Sequence, residues 1–198
     1  MPSAFAHAFL GASLGSLAPR KTRLIPLCLG LALAAAAPDL DVVGFALGIP
    51  YGHPLGHRGL SHSLAFAMGI GGLVFLFRRK PNRALIAALF GIAVASHGIL
   101  DAFTDAGLGV GFLIPFDDTR FFAPWRPLLT SPLSISEFFE GRALRILANE
   151  AVWVGLPTLV GVLLVRFVRG QFPSSRRDLT PVATVAEAPL GPWGGQSS

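Results

Sequence analysis

The sequence predicts an all-α, integral-membrane bundle of about four to five helices, and three observations carry that reading. Of 198 residues, 52% are hydrophobic and only 14% charged, where a soluble domain carries roughly 25% charge. The mean hydropathy is +0.60. The apolar residues gather in five segments, and short basic clusters border them, as expected for a chain that crosses a bilayer several times.

The first segment, Ser3 to Ala18, is followed by Arg20, Lys21 and Arg23. No basic residue precedes it, so it reads as a membrane helix rather than a cleaved signal peptide. The second, Leu24 to Ala37, stops at Pro38. The third, Leu60 to Phe77, and the fourth, Ala84 to Leu100, are separated by Arg78, Arg79, Lys80 and Arg83. The fifth, Ala151 to Val168, ends among Arg166, Arg169, Arg176 and Arg177. All five are shorter than the roughly 20 residues of an ideal span, so length alone does not decide which of them cross.

Charge placement orients the bundle. Basic loops stay cytoplasmic, and a five-helix path with its N-terminus outside satisfies every cluster. Eleven Lys/Arg and two acids then lie inside, and five Arg and nine acids outside, a split of +9 against −4 that accounts for the net +5. Residues 1–170 form the membrane domain. The Pro-, Ser- and Gly-rich residues 171–198 read as a disordered cytoplasmic tail. Between Gly107 and Asn149 the chain reads as an irregular outer cap with a short helix around Ser134 to Leu147, where Ser134 or Ser136 could cap.

Composition also excludes chemistries. One cysteine, Cys28, rules out a disulfide framework and a cysteine-based zinc module, and inside an apolar helix it reads as a small buried hydrophobe. The pI near 10.6 invites nucleic acid, but the basic clusters lack interleaved aromatics, so no nucleic-acid partner is expected. Phe112, Phe116, Phe121, Phe122 and Trp125 read as interfacial packing against membrane lipid.

The polar residues that remain collect at the outer helix ends. His97 and Asp101 stand four apart, which places them on one helix face where they can chelate one ion or simply tie helices together. Asp39 and Asp41 follow Pro38; one can ligate while the other binds a second ion or orients a ligand histidine, and an Asp capping the next turn is the plainer alternative. In Gly56-His57-Arg58-Gly59-Leu60-Ser61-His62-Ser63, two imidazoles flank a glycine turn that could aim both at one centre, with Ser61 or Ser63 capping the next helix. Arg58 between them offers a fork for phosphate or carboxylate. His53 reads as a surface residue. Glu150, at the outer end of the last helix, is either a ligand or general base or a favourable acid at a helix N-terminus.

The runs Pro38-Asp39-Leu40-Asp41, His57 through Ser63, and Ser96-His97-Gly98-Ile99-Leu100-Asp101 continuing to Gly107, with His7 in an Ala-His-Ala-Phe context, resemble the YdjM-like family of LexA-regulated, membrane-bound, metal-dependent hydrolases. The likeness runs from about His7 to Phe122. It departs at Val42, where many relatives carry a further His, and leaves open whether Asp105 or Asp117 substitutes. The resemblance implies a helical fold distantly similar to zinc-dependent phospholipase C, in the inner membrane. His7, Asp39, Asp41, His57, His62, His97 and Asp101 are then seven candidate ligands for one or two divalent ions, with Asp41, Arg58 and Glu150 as candidate catalytic groups. Mixed imidazole and carboxylate donors favour Zn, with Mn or Fe as alternatives. A site at the outer interface beside an arginine fits a phosphoester or lipid substrate. The rival classes are a divalent-metal transporter, which should hold its ligands near the bilayer midplane, and a non-catalytic scaffold.

Overall fold

The computed structural model describes residues 1–19, 22–79, 82–132, 137–138 and 142–171. The chain folds as α1 (Ala4–Leu14), α2 (Leu24–Ala36), α3 (Val43–Ala46), α4 (Leu64–Phe77), α5 (Arg83–Ala102), α6 (Ala143–Glu150) and α7 (Leu156–Gln171). No strand occurs among the described residues, where two isolated bridges, Thr104 with Leu128 and Val110 with Phe121, pin the cap. It is a helical membrane bundle.

The spans are longer than the apolar runs. A 3-10 stretch, Ala37–Val42, carries α2 into α3, so one rod covers Leu24–Ala46, 23 residues; α5 has 20 residues, and Ala143–Gly170 has 28. These three are long and apolar enough to cross a membrane, whereas Ala4–Leu17 and Leu64–Phe77 are shorter apolar helices. Two expected boundaries change. The third segment breaks after a 3-10 turn, Leu60–His62, because Ser63 is extended and caps α4 by accepting from the Phe66 amide at 3.0 Å. The last span is continuous from Ala143 through a π-helical turn, Ala151–Gly155, into α7, so it starts before the Ala151 expected for the fifth segment. Ser134 and Ser136, like the tail beyond Gln171, lie outside the described residues.

Small residues let the helices approach. A Cβ on Gly11 would stand 2.4 Å from the Leu31 carbonyl, and one on Gly98 would stand 2.7 Å from the His62 carbonyl. Without lipid-exclusion forces between helices, this close packing is what joins them. The core between α2 and α5 is Leu27, Leu31, Ala35, Ile86, Leu89 and Ala93.

The antiparallel path sorts the two ends. The start of α1, the ends of α2 and α5, and the turn before α4 meet at one end. Arg23, Arg78, Arg79 and Arg83 sit at the other termini of those helices.

Candidate metal centre

Pro38 begins the local geometry. In the tightened turn after Ala36, the Ala35 carbonyl would look to the Pro38 nitrogen, which has no hydrogen. It accepts instead from His97 Nδ1 at 2.6 Å. A carbonyl only accepts, so the His97 proton is assigned to Nδ1, and in the neutral ring Nε2 carries a lone pair. That lone pair faces Asp39 Oδ1 at 3.1 Å. Two acceptors facing each other call for a cation or a second proton between them.

The rest of the cluster repeats this condition. His62 Nε2 lies 3.3 Å from Asp101 Oδ2 and 3.9 Å from Asp39 Oδ1. His7 stacks on His97, ring centroids 3.6 Å apart, with Nε2 3.6 Å from Asp101 Oδ1. Asp39 Oδ2, both Asp101 oxygens, His62 Nε2 and both His7 nitrogens are buried without a hydrogen-bond partner. Such orphaned groups are costly inside a protein, and a divalent cation would satisfy them together. Ligand atoms of Asp39, His62, His97 and Asp101 all lie within 4.8 Å of one another, so this group could hold a metal ion. The donor set fits one: imidazole nitrogens and carboxylate oxygens converge there, the ligand types a divalent ion takes. The His62, His97 and Asp101 side chains are fully buried, whereas Asp39 keeps 11% of its surface, so the approach to the cluster is from the Asp39 side.

A second group adjoins it. Asp41, His57 and His62 also bring ligand atoms within 4.8 Å of one another, with His62 common to both. Burial pulls the His62 imidazolium down, but the Asp101 and Asp41 carboxylates, 3.3 and 3.2 Å from its two ring nitrogens, outweigh it and raise its pKa to about 9.

Three predicted catalytic residues are placed differently from expectation, or more narrowly. Arg58 is 1% exposed, with a left-handed φ of 61°. Its fork does not open outward: one terminal nitrogen donates to the Ala106 carbonyl at 3.0 Å, the other to Thr104 Oγ1 at 2.9 Å, and Nε lies 3.1 Å from Asp101 Oδ2. The Arg58 Nε contact is an ion pair without hydrogen-bond alignment. Gly107, at φ +102°, leaves room for the guanidinium, since a Cβ there would stand 2.7 Å from it. Glu150 does not reach the cluster with either oxygen, because both accept from Ser3, one from its amide and one from its hydroxyl at 2.6 Å. It thereby serves the N-terminus of α1, as an acid at a helix start does. Asp41 lies between the His57 and His62 side chains. Asp105 bonds Thr130 and Asp117 bonds the Thr119 amide, both at exposed positions, and His53 is exposed as expected.

Two contributors were given no role by the sequence, although Thr104 lies within the run from Ser96 to Gly107. Thr104, fully buried, relays between Arg58 and the Asp101 carbonyl. Arg120 clasps the loop before α4 from outside, donating to the carbonyls of Tyr51, His53, His57 and Arg58 at 3.1–3.3 Å. A lone arginine in a Pro- and Phe-rich cap announces no such clasp; its partners are 62 to 69 residues away.

Comparison with known proteins agrees with this architecture. A family model described as "YdjM inner membrane protein" matches residues 1–172. The chain is 38% identical over 159 residues to "Inner membrane protein YbcI" of Escherichia coli (strain K12), covering 71% of this chain and 90% of the relative. No solved structure matches.

Proposed function

The chain belongs to the YdjM inner membrane protein family, and from that membership and the cluster above we propose a membrane-bound, metal-dependent hydrolase acting on a phosphoester or lipid. The observation that carries the reading is the convergence of Asp39, His62, His97 and Asp101, with His7 stacked beside them, in a buried space where several of their polar atoms lack hydrogen-bond partners. Those residues would hold the ion. Imidazole with carboxylate favours Zn, then Mn or Fe. When bound, such an ion lowers the pKa of a coordinated water to about 7 and polarises a phosphoryl or acyl oxygen.

The remaining groups prepare the site. The Ala35 carbonyl fixes the His97 ring. Arg58 offsets the Asp101 charge from the side opposite His7 and, through Thr104, ties the end of α5 to the loop before α4. The partly exposed Asp39 edge leaves the route by which a lipid headgroup or phosphoester would arrive at the end of the bundle where α2 and α5 terminate. That placement at helix ends supports a hydrolase over a transporter, whose ligands belong near the midplane.

Elemental analysis of detergent-purified protein, with hydrolysis assays on phosphodiesters and phospholipids, tests the proposal. Bound metal with hydrolysis lost in His97→Ala is the expected result. Metal-free wild type points to the scaffold, and metal flux into proteoliposomes without hydrolysis points to the transporter.

A further inference from the structure

We infer that Asp41 is a positioning residue of the proposed centre, holding His62 by Nδ1 so that Nε2 faces the ion, and is not itself a ligand of a second ion. The inference rests on the metal-centre reading above. Asp41 accepts three hydrogen bonds from one six-residue turn, from His57 Nδ1 at 2.6 Å on Oδ1 and from the Ser61 hydroxyl at 2.6 Å and the Arg58 amide at 3.2 Å on Oδ2, and His62 Nδ1 stands 3.2 Å from Oδ2 as an ion-pair contact. A carboxylate has about four acceptor sites, so three of them are taken and the fourth faces His62. Neither of its oxygens appears among the buried unpartnered atoms, whereas both of Asp101's and one of Asp39's do.

The hydrogens decide the orientation. Ser61 has one hydroxyl hydrogen and gives it to Asp41, so the Ser61 oxygen, 2.9 Å from His62 Nδ1, can only accept there. Both neighbours of Nδ1 are then acceptors, and Nδ1 carries the proton. Nε2 remains for Asp39, Asp101 and the ion, in the manner of a carboxylate–histidine–metal arrangement. The turn is built for this: the left-handed Arg58 aims its amide at Asp41 while its side chain runs to Asp101, and a Cβ on Gly59 would stand 2.2 Å from the Pro54 carbonyl. A second ion on Asp41, His57 and His62 would have to displace the protons that organise this turn.

The test uses the full chain in detergent, loaded with Co²⁺, read by metal equivalents, ligand-field absorption and chelator competition. Wild type is expected to bind one equivalent. Asp41→Asn should still load to one equivalent but bind about 10- to 100-fold more weakly, with altered absorption as His62 reorients, whereas Asp39→Asn, which alters a ligand, should weaken binding at least as much. Ser61→Ala, a milder change, should shift affinity and absorption in the same direction by less, and carries the test where Asp41→Asn does not fold. Two equivalents in wild type with one lost in Asp41→Asn would overturn the inference while leaving the metal centre standing. So would wild-type affinity and absorption in Asp41→Asn, or in Ser61→Ala where only that variant folds. No Co²⁺ bound by wild type would remove the metal-centre reading and the inference with it.

Discussion

Two buried acids at the same end of the bundle behave in opposite ways. Glu150, 4% exposed, has both oxygens hydrogen-bonded by Ser3 and joins the last span to the start of α1. Asp101, 0% exposed, has neither oxygen in an aligned hydrogen bond, although Arg58, His62 and His7 stand 3.1, 3.3 and 3.6 Å away. The same functional group is therefore structural in one place and poised in the other. Burial does not separate the two. What does is whether the neighbours supply aligned hydrogens, since Ser3 donates to both Glu150 oxygens whereas none of the groups around Asp101 makes an aligned bond to either of its oxygens.

The largest expected break in that contrast is the double substitution His62→Ala/His97→Ala. It removes the two imidazoles that face Asp39 and Asp101 and should abolish stoichiometric metal, a loss beyond the roughly 10- to 100-fold typical of supporting residues. Stoichiometric metal in the double variant would mean the ligands lie elsewhere.

Next comes Arg58. Removing it with Arg58→Ala leaves Asp101 buried without its cation, which costs about 3–5 kcal/mol and should reduce metal loading as well. Arg58→Lys should recover little, because three nitrogens of one planar group reach Thr104, Ala106 and Asp101 in different directions. Thermal unfolding of both variants in detergent reads this, and near-wild-type stability of Arg58→Lys would restore the simpler picture of a point charge.

A third measurement sharpens the contrast with pH. The raised pKa of His62, about 9, means that its proton is held through neutral pH and must leave before Nε2 can bind an ion. Below that pKa, each unit of falling pH should weaken metal binding about tenfold, and above it the dependence should flatten. Titrations by calorimetry in buffers of different ionisation enthalpy would show close to one proton released near neutral pH; release of none would dissociate His62 from the ion.

Glu150→Gln should act on stability alone. The amide can keep one acceptor toward Ser3 but loses the charge, at a cost of about 1 kcal/mol, with metal content unchanged. A fall in metal content would bring Glu150 back into the site. The smallest effect belongs to His53→Ala, on an exposed side chain whose ring only accepts from the Leu55 amide. Both stability, within about 0.5 kcal/mol, and metal content should match wild type.

Much of this was legible before folding. Composition and the five apolar runs gave a helical membrane bundle, because burying backbone in lipid leaves few other solutions. The i, i+4 pair His97 and Asp101, the Pro38-bounded carboxylates and the His57–His62 turn named the groups that the fold brings together, since residue spacing is a local property. The helix boundaries were less legible: polar site residues at the ends of α2 and α5 shorten the apolar runs, although the helices continue through them. Orientation across the bilayer is expected from the basic clusters, and labelling of cysteines introduced at the exposed Leu55 and at position 80 in a Cys28→Ala background, with only the former reached from outside, tests it.

The sequence by itself determined the class of fold and the list of groups able to bind an ion. Only the tertiary structure decided among them, turning the Arg58 fork inward, sending Glu150 to Ser3 and closing the turn from His57 to His62 around Asp41. The reason is physical. A residue's type and spacing fix what its atoms can donate or accept, but whether an acceptor is already filled depends on partners brought from as far as 147 residues away, which no local pattern encodes.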